Sequence, residues 1–138
     1  MTPRYRAWYV LAEEMINEIL IISFVRKEII GKFSDGSTSV PLKFEDERNG
    51  EDVILMQSTG LFDKNSKEIF EGDILACETD DEVINVNVFW DEEHALFMFE
   101  SKKYNEQEPL AELVENNTYP FEIIGNIYEN PELLEDKK

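Results

Sequence analysis

Residues 54–77, ILMQSTGLFDKNSKEIFEGDILAC, carry two apolar segments, a polar turn and a glycine turn in a set order, and the rest of the chain can be placed around them. Val53, Ile54, Leu55 and Met56 form a short apolar block that reads as a strand. Ser58-Thr59-Gly60 predicts a turn at its end, because glycine reaches backbone angles that other residues avoid. Asp63-Lys64-Asn65-Ser66 predicts a second turn, with Asn65 suited to the left-handed conformation, and residues 67–70 read as a short connector. Glu71-Gly72-Asp73 then bends the chain into a new apolar strand, Ile74-Leu75-Ala76-Cys77.

Downstream, residues 78–82 are an acidic turn, and residues 83–90 alternate as a strand does. Val83, Asn85 and Asn87 point one way, and Ile84, Val86, Val88 and Trp90 point to a buried side. A turn at Asp91-Glu92-Glu93-His94 leads to a strand over 95–100, which gives the meander of a small barrel. Residues 102–108 read as polar loop. Residues 109–116 read as a short helix with Leu110, Leu113 and Val114 on one face, and 121–128 as a last strand broken by Gly125. Asn130-Pro131 predicts a helix start, since asparagine can cap and proline suits the first helical position. Residues 131–138 are expected to be a mobile tail.

Upstream, Tyr5, Ala7 and Tyr9 alternate with Arg6 and Trp8, a strand pattern in which Trp8 anchors by packing and Arg6 neutralises local carboxylates. Residues 8–20 are ambiguous. Trp8, Leu11, Ala12, Met15, Ile16, Ile19 and Leu20 fall at helical spacing, whereas residues 19–25, ILIISFV, form a β-type run. A strand over about 16–24, with or without a helical turn before it, would turn at Arg26-Lys27 into a second over 28–33. A turn at 34–37 follows, then an edge segment at 40–44 limited by Pro41 and a solvated loop at 45–52.

Three motifs in order are similar to the YopX family of phage and prophage proteins. They are Arg6-Ala7-Trp8, the run LMQSTGLFDKNSKEIFEGDIL with Gln57, Gly60, Asp63, Gly72 and Asp73, and the run IGNIYENPELL with Gly125, Asn126, Asn130 and Pro131. The chain departs from the family pattern at Ser66, where the turn usually has glycine, and at Tyr9, where an acidic residue usually follows the tryptophan. The resemblance implies a mainly β protein, a small SH3-like barrel with additional N-terminal strands and a short C-terminal helix, carried by phages or prophages in bacteria. It favours strands over 8–20 and brings no catalytic residues.

A chain of 138 residues suits a single domain, with N-terminal strands over 1–50, a barrel core over 51–130 and the tail beyond. With 42% hydrophobic and 12% aromatic residues, it has the apolar content that a disordered chain lacks. Cys77 is alone, so neither an intrachain disulfide nor a cysteine-based zinc site is available, and its apolar neighbours make it a small buried hydrophobe. No leader pattern opens the sequence and the longest apolar run is too short to span a bilayer, so the expectation is a cytoplasmic protein of the bacterial host.

Charge is the outstanding feature: 31 acidic against 13 basic residues, formally −18. Duplex DNA, with one negative charge per about 1.7 Å, repels such a surface, which disfavours direct nucleic-acid binding. Beyond solubility, an acidic surface points to a basic host or phage protein as partner, and in its extreme form to mimicry of DNA. The carboxylate groups at 80–82 and 91–94 lack the spacing of a calcium loop. His94 is the one histidine, and no phosphate-cradle, dinucleotide, serine-hydrolase or zincin motif occurs, so no metal, cofactor or catalytic residue is assigned. The expected function is a non-enzymatic acidic interaction module. An oligomeric structural component joined through exposed strand edges or the aromatic N-terminal segment is the alternative, and a carboxylate-dependent hydrolase a weaker one.

Overall fold

The computed structural model describes residues 4–45, 51–116 and 120–135. The greater part of the loop expected at 45–52, including Asn49 and Gly50, and the last three residues of the expected tail lie outside the described residues. The chain divides into two compact units, Met1–Ser58 and Thr59–Lys138, each with its own apolar core.

In the first unit the ambiguity over 8–20 resolves to strands. β1 (Tyr5–Tyr9) and β2 (Glu14–Ile16) form an antiparallel hairpin, and β1 pairs on its other side with the first part of β6 (Val53–Phe62). β3 (Glu18–Ser23) and β4 (Glu28–Lys32) form the expected hairpin around Arg26-Lys27, and β5 (Leu42–Lys43), just after Pro41, adds a short edge. Ala7, Ile16, Ile29, Leu42, Phe44 and Val53 close into one core. The helical reading fails because its apolar stripe is not buried as one face: Trp8 and Ile16 are buried, but Leu11 is 84% and Leu20 48% exposed. Gly31 sits where a Cβ would lie 2.4 Å from Ile16 Cγ2, so the strands approach closely only without a side chain there.

In the second unit a five-stranded antiparallel sheet runs β11-β10-β9-β8-β12. Its members are β8 (Asp73–Glu78), β9 (Val83–Asp91), β10 (Leu96–Ser101), β11 (Glu106–Pro109) and β12 (Phe121–Asn126). Helix α1 (Leu110–Asn116) buries Leu110 and lays Leu113 and Val114 against a core of Ile69, Leu75, Cys77, Val86, Val88 and Phe121. Each large aliphatic side chain buried in this way stabilises by about 1.5–3 kcal/mol. β12 shifts register between Ile123 and Gly125, which is the break expected at Gly125.

Several local readings are corrected. Ser58-Thr59-Gly60 is not a turn: β6 runs through it, with Gly60 at φ 77° inside the strand, and ends at Phe62. The turn that follows does form, but its left-handed residue is Ser66 (φ 62°) rather than Asn65. Residues 67–70 are not merely a connector, since Glu68–Phe70 is strand β7, paired with β6. Within the polar loop expected at 102–108, Glu106–Pro109 is an edge strand that pairs with β10. Asn87 is buried as well as Val86 and Val88, so the expected one-sided burial of β9 fails at its centre, and Trp90 is exposed although its ring packs edge-on to Phe97 at 4.9 Å. The short C-terminal helix expected from Asn130-Pro131 forms as a single 3-10 turn, Pro131–Leu134.

Candidate functional site

The second and third sequence motifs converge on one hydrogen-bonded latch in the second unit. Asp63 directly follows β6 and is 7% exposed. Its Oδ1 accepts the N–H groups of Asn65 and Lys67, both at 2.9 Å, which shapes the turn, and its Oδ2 accepts the Ile123 N–H at 2.9 Å, which ties the turn to β12. Asp73, also buried, accepts the Phe70 N–H through Oδ2 at 2.8 Å across the turn at Gly72, where φ is 85°. Gly72 donates to the Val88 carbonyl at 2.8 Å and accepts from Ile127 N–H at 2.8 Å.

The Ile127 contact brings in the C-terminal motif. Asn126 Oδ1 accepts from the N–H groups of Tyr128 (3.0 Å) and Glu129 (2.9 Å), and the Asn130 N–H donates to the Asn126 carbonyl at 2.9 Å. Asn130 does not cap the following turn with its side chain, contrary to expectation: its Oδ1 instead accepts the Asn126 N–H at 3.3 Å, and Pro131 opens the turn. That side chain lies over Gly125, where a Cβ would sit 2.4 Å from Asn130 Oδ1. Asp63, Gly72, Asp73, Gly125, Asn126, Asn130 and Pro131 therefore shape turns and join strands. Both buried carboxylates spend acceptor capacity on backbone N–H groups, which is an architectural task.

The first unit holds the remaining motif residues. Arg6 and Trp8 are buried on β1, where Arg6 pairs with Met56 and Trp8 with Met15 and Ile54, and Gln57 pairs with Tyr5.

Three further groups bear titratable chemistry. Burial pushes the Cys77 thiol up to about 11, so it is a thiol at neutral pH and a poor nucleophile. At one end of the sheet Glu82 accepts hydrogen bonds from Lys103 and from the Tyr104 hydroxyl. These bonds hold the Glu82 carboxyl below its usual range and raise Lys103 and Tyr104 above theirs. The sequence reading missed this trio because its members are 21 and 22 residues apart and no local pattern links them. At the turn between β9 and β10, Asp91, Glu93 and His94 place one ligand atom each within 4.8 Å of one another. The His94 Nδ1 contact to Asp91 Oδ2 at 2.7 Å lowers the Asp91 carboxyl.

These features can be set beside known proteins. The model of the YopX protein family matches residues 4–135, the span that holds all three motifs. The chain belongs to the YopX family. Among solved structures, protein EF1440 from Enterococcus faecalis superposes with a TM-score of 0.62 at 28% identity, covering 98% of this chain and 99% of that one. Protein yopX from Bacillus subtilis superposes with a TM-score of 0.63 at 22% identity, covering 95% and 97%. Comparison with curated proteins gives no match. Ser66, where the resemblance leads to the expectation of glycine, has a left-handed backbone (φ 62°), the conformation that glycine adopts without strain. Among the described residues, no helix is long and apolar enough to cross a membrane.

Proposed function

We propose that this YopX-family chain is a non-enzymatic, phage- or prophage-borne interaction module that engages a basic protein in the bacterial cytoplasm through its second unit. The observation behind this reading is how unevenly charge is distributed. Met1–Ser58 contains 7 Lys and Arg against 10 Asp and Glu, a net −3, whereas Thr59–Lys138 contains 6 against 21, a net −15. The carboxylates of Asp63 and Asp73 are turned inward onto backbone donors, but Asp80, Asp81, Glu92, Glu93, Glu106 and Glu108 are exposed. A surface so rich in acceptors and poor in compensating cations attracts a basic partner over a range set by ionic strength, about 8 Å at physiological salt.

The test immobilises the full chain beside a variant with Glu92, Glu93, Glu106 and Glu108 changed to Gln, and exposes both to bacterial lysate. The expected result is retention of basic polypeptides that salt releases and that the variant retains poorly. Retention of salt-insensitive or acidic proteins only, or of none, refutes the reading. If duplex DNA competes the partner off, the acidic surface acts as a DNA mimic.

A further inference from the structure

The β3 strand in the first unit has an unusual surface. Residues 19–25, ILIISFV, contain no charge, and β3 pairs with β4 on one side only among the described residues. Ile19 and Ile22 pack against the core. The register shift between Ile19 and Ile21 inserts Leu20 as an extra residue. Leu20 and Ile21 are consequently both outward, 48% and 58% exposed, and the turn adds Phe24 at 59% and Val25 at 95%. The edge strand β11 in the second unit is built differently: Glu106, Glu108 and Pro109 supply the charges and the proline that keep an edge from pairing. The edge strand β5 follows Pro41. β3 has no proline, a single charge at its first residue, Glu18, and a bulge at Leu20, and the run from Ile19 to Val25 stays apolar.

We propose that two copies of this chain associate through the apolar surface of β3 and its following turn, about a twofold axis that sets one β3 antiparallel to the other. Three observations select a second copy as the occupant. The patch lies in the unit of net −3 and not in that of net −15, so the unit that bears it adds little repulsion of its own between two copies. It is bounded by exposed Glu18 at one end and exposed Arg26 at the other. An antiparallel arrangement therefore carries Glu18 toward the partner subunit's Arg26 at both ends, which a parallel one does not. Leu20, Ile21, Val25 and the exposed part of Phe24, whose ring also packs edge-on to Tyr5 and Phe44, offer roughly 400–500 Å² per copy, so the pair buries on the order of 800–1,000 Å², below the range of stable specific interfaces and on the scale of a weak, concentration-dependent dimer. This surface is separate from the acidic unit proposed to bind a basic protein, and either proposal can fail alone.

Sedimentation equilibrium of the full chain from roughly 1 μM to 1 mM tests it, since dimerisation at this scale is a matter of mass action. The expected result is a mass that rises from one chain toward two. Ile21→Glu and Val25→Lys each weaken association at least about tenfold, a change of about 1.4 kcal/mol by the standard conversion. Both positions are exposed, and an unchanged circular dichroism spectrum shows that the variants fold. Arg26→Glu also weakens association, and the exchange Glu18→Arg with Arg26→Glu restores it. A monomer across the whole range, or a dimer indifferent to both apolar variants, overturns the proposal. Failure of the exchange to restore association overturns the antiparallel arrangement.

Discussion

Removing the Asp63 carboxylate should destabilise the second unit by an amount that can be worked from its three hydrogen bonds. In Asp63→Ala, the N–H groups of Asn65 and Lys67 lose their acceptor, but the turn is exposed and water replaces it, so each loss costs about 0.5–1 kcal/mol. The Ile123 N–H lies in a part-buried ladder position 60 residues away and has no such replacement, so leaving it unpaired costs about 1–3 kcal/mol. The sum is about 2–5 kcal/mol, large against the usual stability of a domain. Asp63→Asn keeps an oxygen for the turn but turns its amide toward the Ile123 N–H, so its cost should be smaller, about 1–3 kcal/mol. Urea unfolding followed by far-ultraviolet circular dichroism measures the totals, and amide hydrogen exchange locates them. Exchange at Ile123 should accelerate in both variants, and at Asn65 and Lys67 mainly in the alanine variant. An alanine variant within about 0.5 kcal/mol of the parent, or unchanged exchange at Ile123, would refute the assignment of Asp63 as the tie between turn and sheet.

Other outcomes follow from single residues. Ser66→Gly should raise stability by about 0.5–1 kcal/mol, because it relieves a side chain held at φ 62°, and a thermal melt reads the gain. The folded-state carboxyl of Glu82 lies below its ordinary 4.5, so its contribution is complete above that value and is lost as pH falls through the lower folded one. Carboxyl NMR should show Lys103→Met moving the Glu82 titration back up, and an unmoved titration would remove Lys103 as the cause. Cys77 should resist maleimide at pH 8 in the folded protein and react within minutes in denaturant, since burial both shields it and keeps it protonated.

The strands that carry the second core were legible because their apolar residues recur with the period of a half-buried strand, as in Ile84, Val86 and Val88. β11 was not legible. Its residues Glu106, Gln107 and Glu108 are polar, and what makes it a strand is backbone pairing with β10, which leaves no trace in side-chain pattern. Gly60 shows a related ambiguity, since a glycine after an apolar block marks either a turn or an irregularity within a longer strand, and only the pairing partners choose. The motif residues of the latch were named from the sequence, but their task was hidden: Asp63 meets Ile123 across 60 residues, and Asn130 reaches back to Gly125 instead of capping.

By itself the sequence determined the mainly β class, the YopX membership, the inert burial of Cys77 and the acidic excess, because periodicity, turn residues and charge are local or additive properties. Only the tertiary structure decided that residues 8–20, whose spacing fits either helix or strand, form strands and a turn, that Asp63 and Asp73 serve the backbone, and that Leu20 and Ile21 both face outward. Each of these depends on which backbone groups and side chains lie close in space, and one-dimensional spacing does not contain that information.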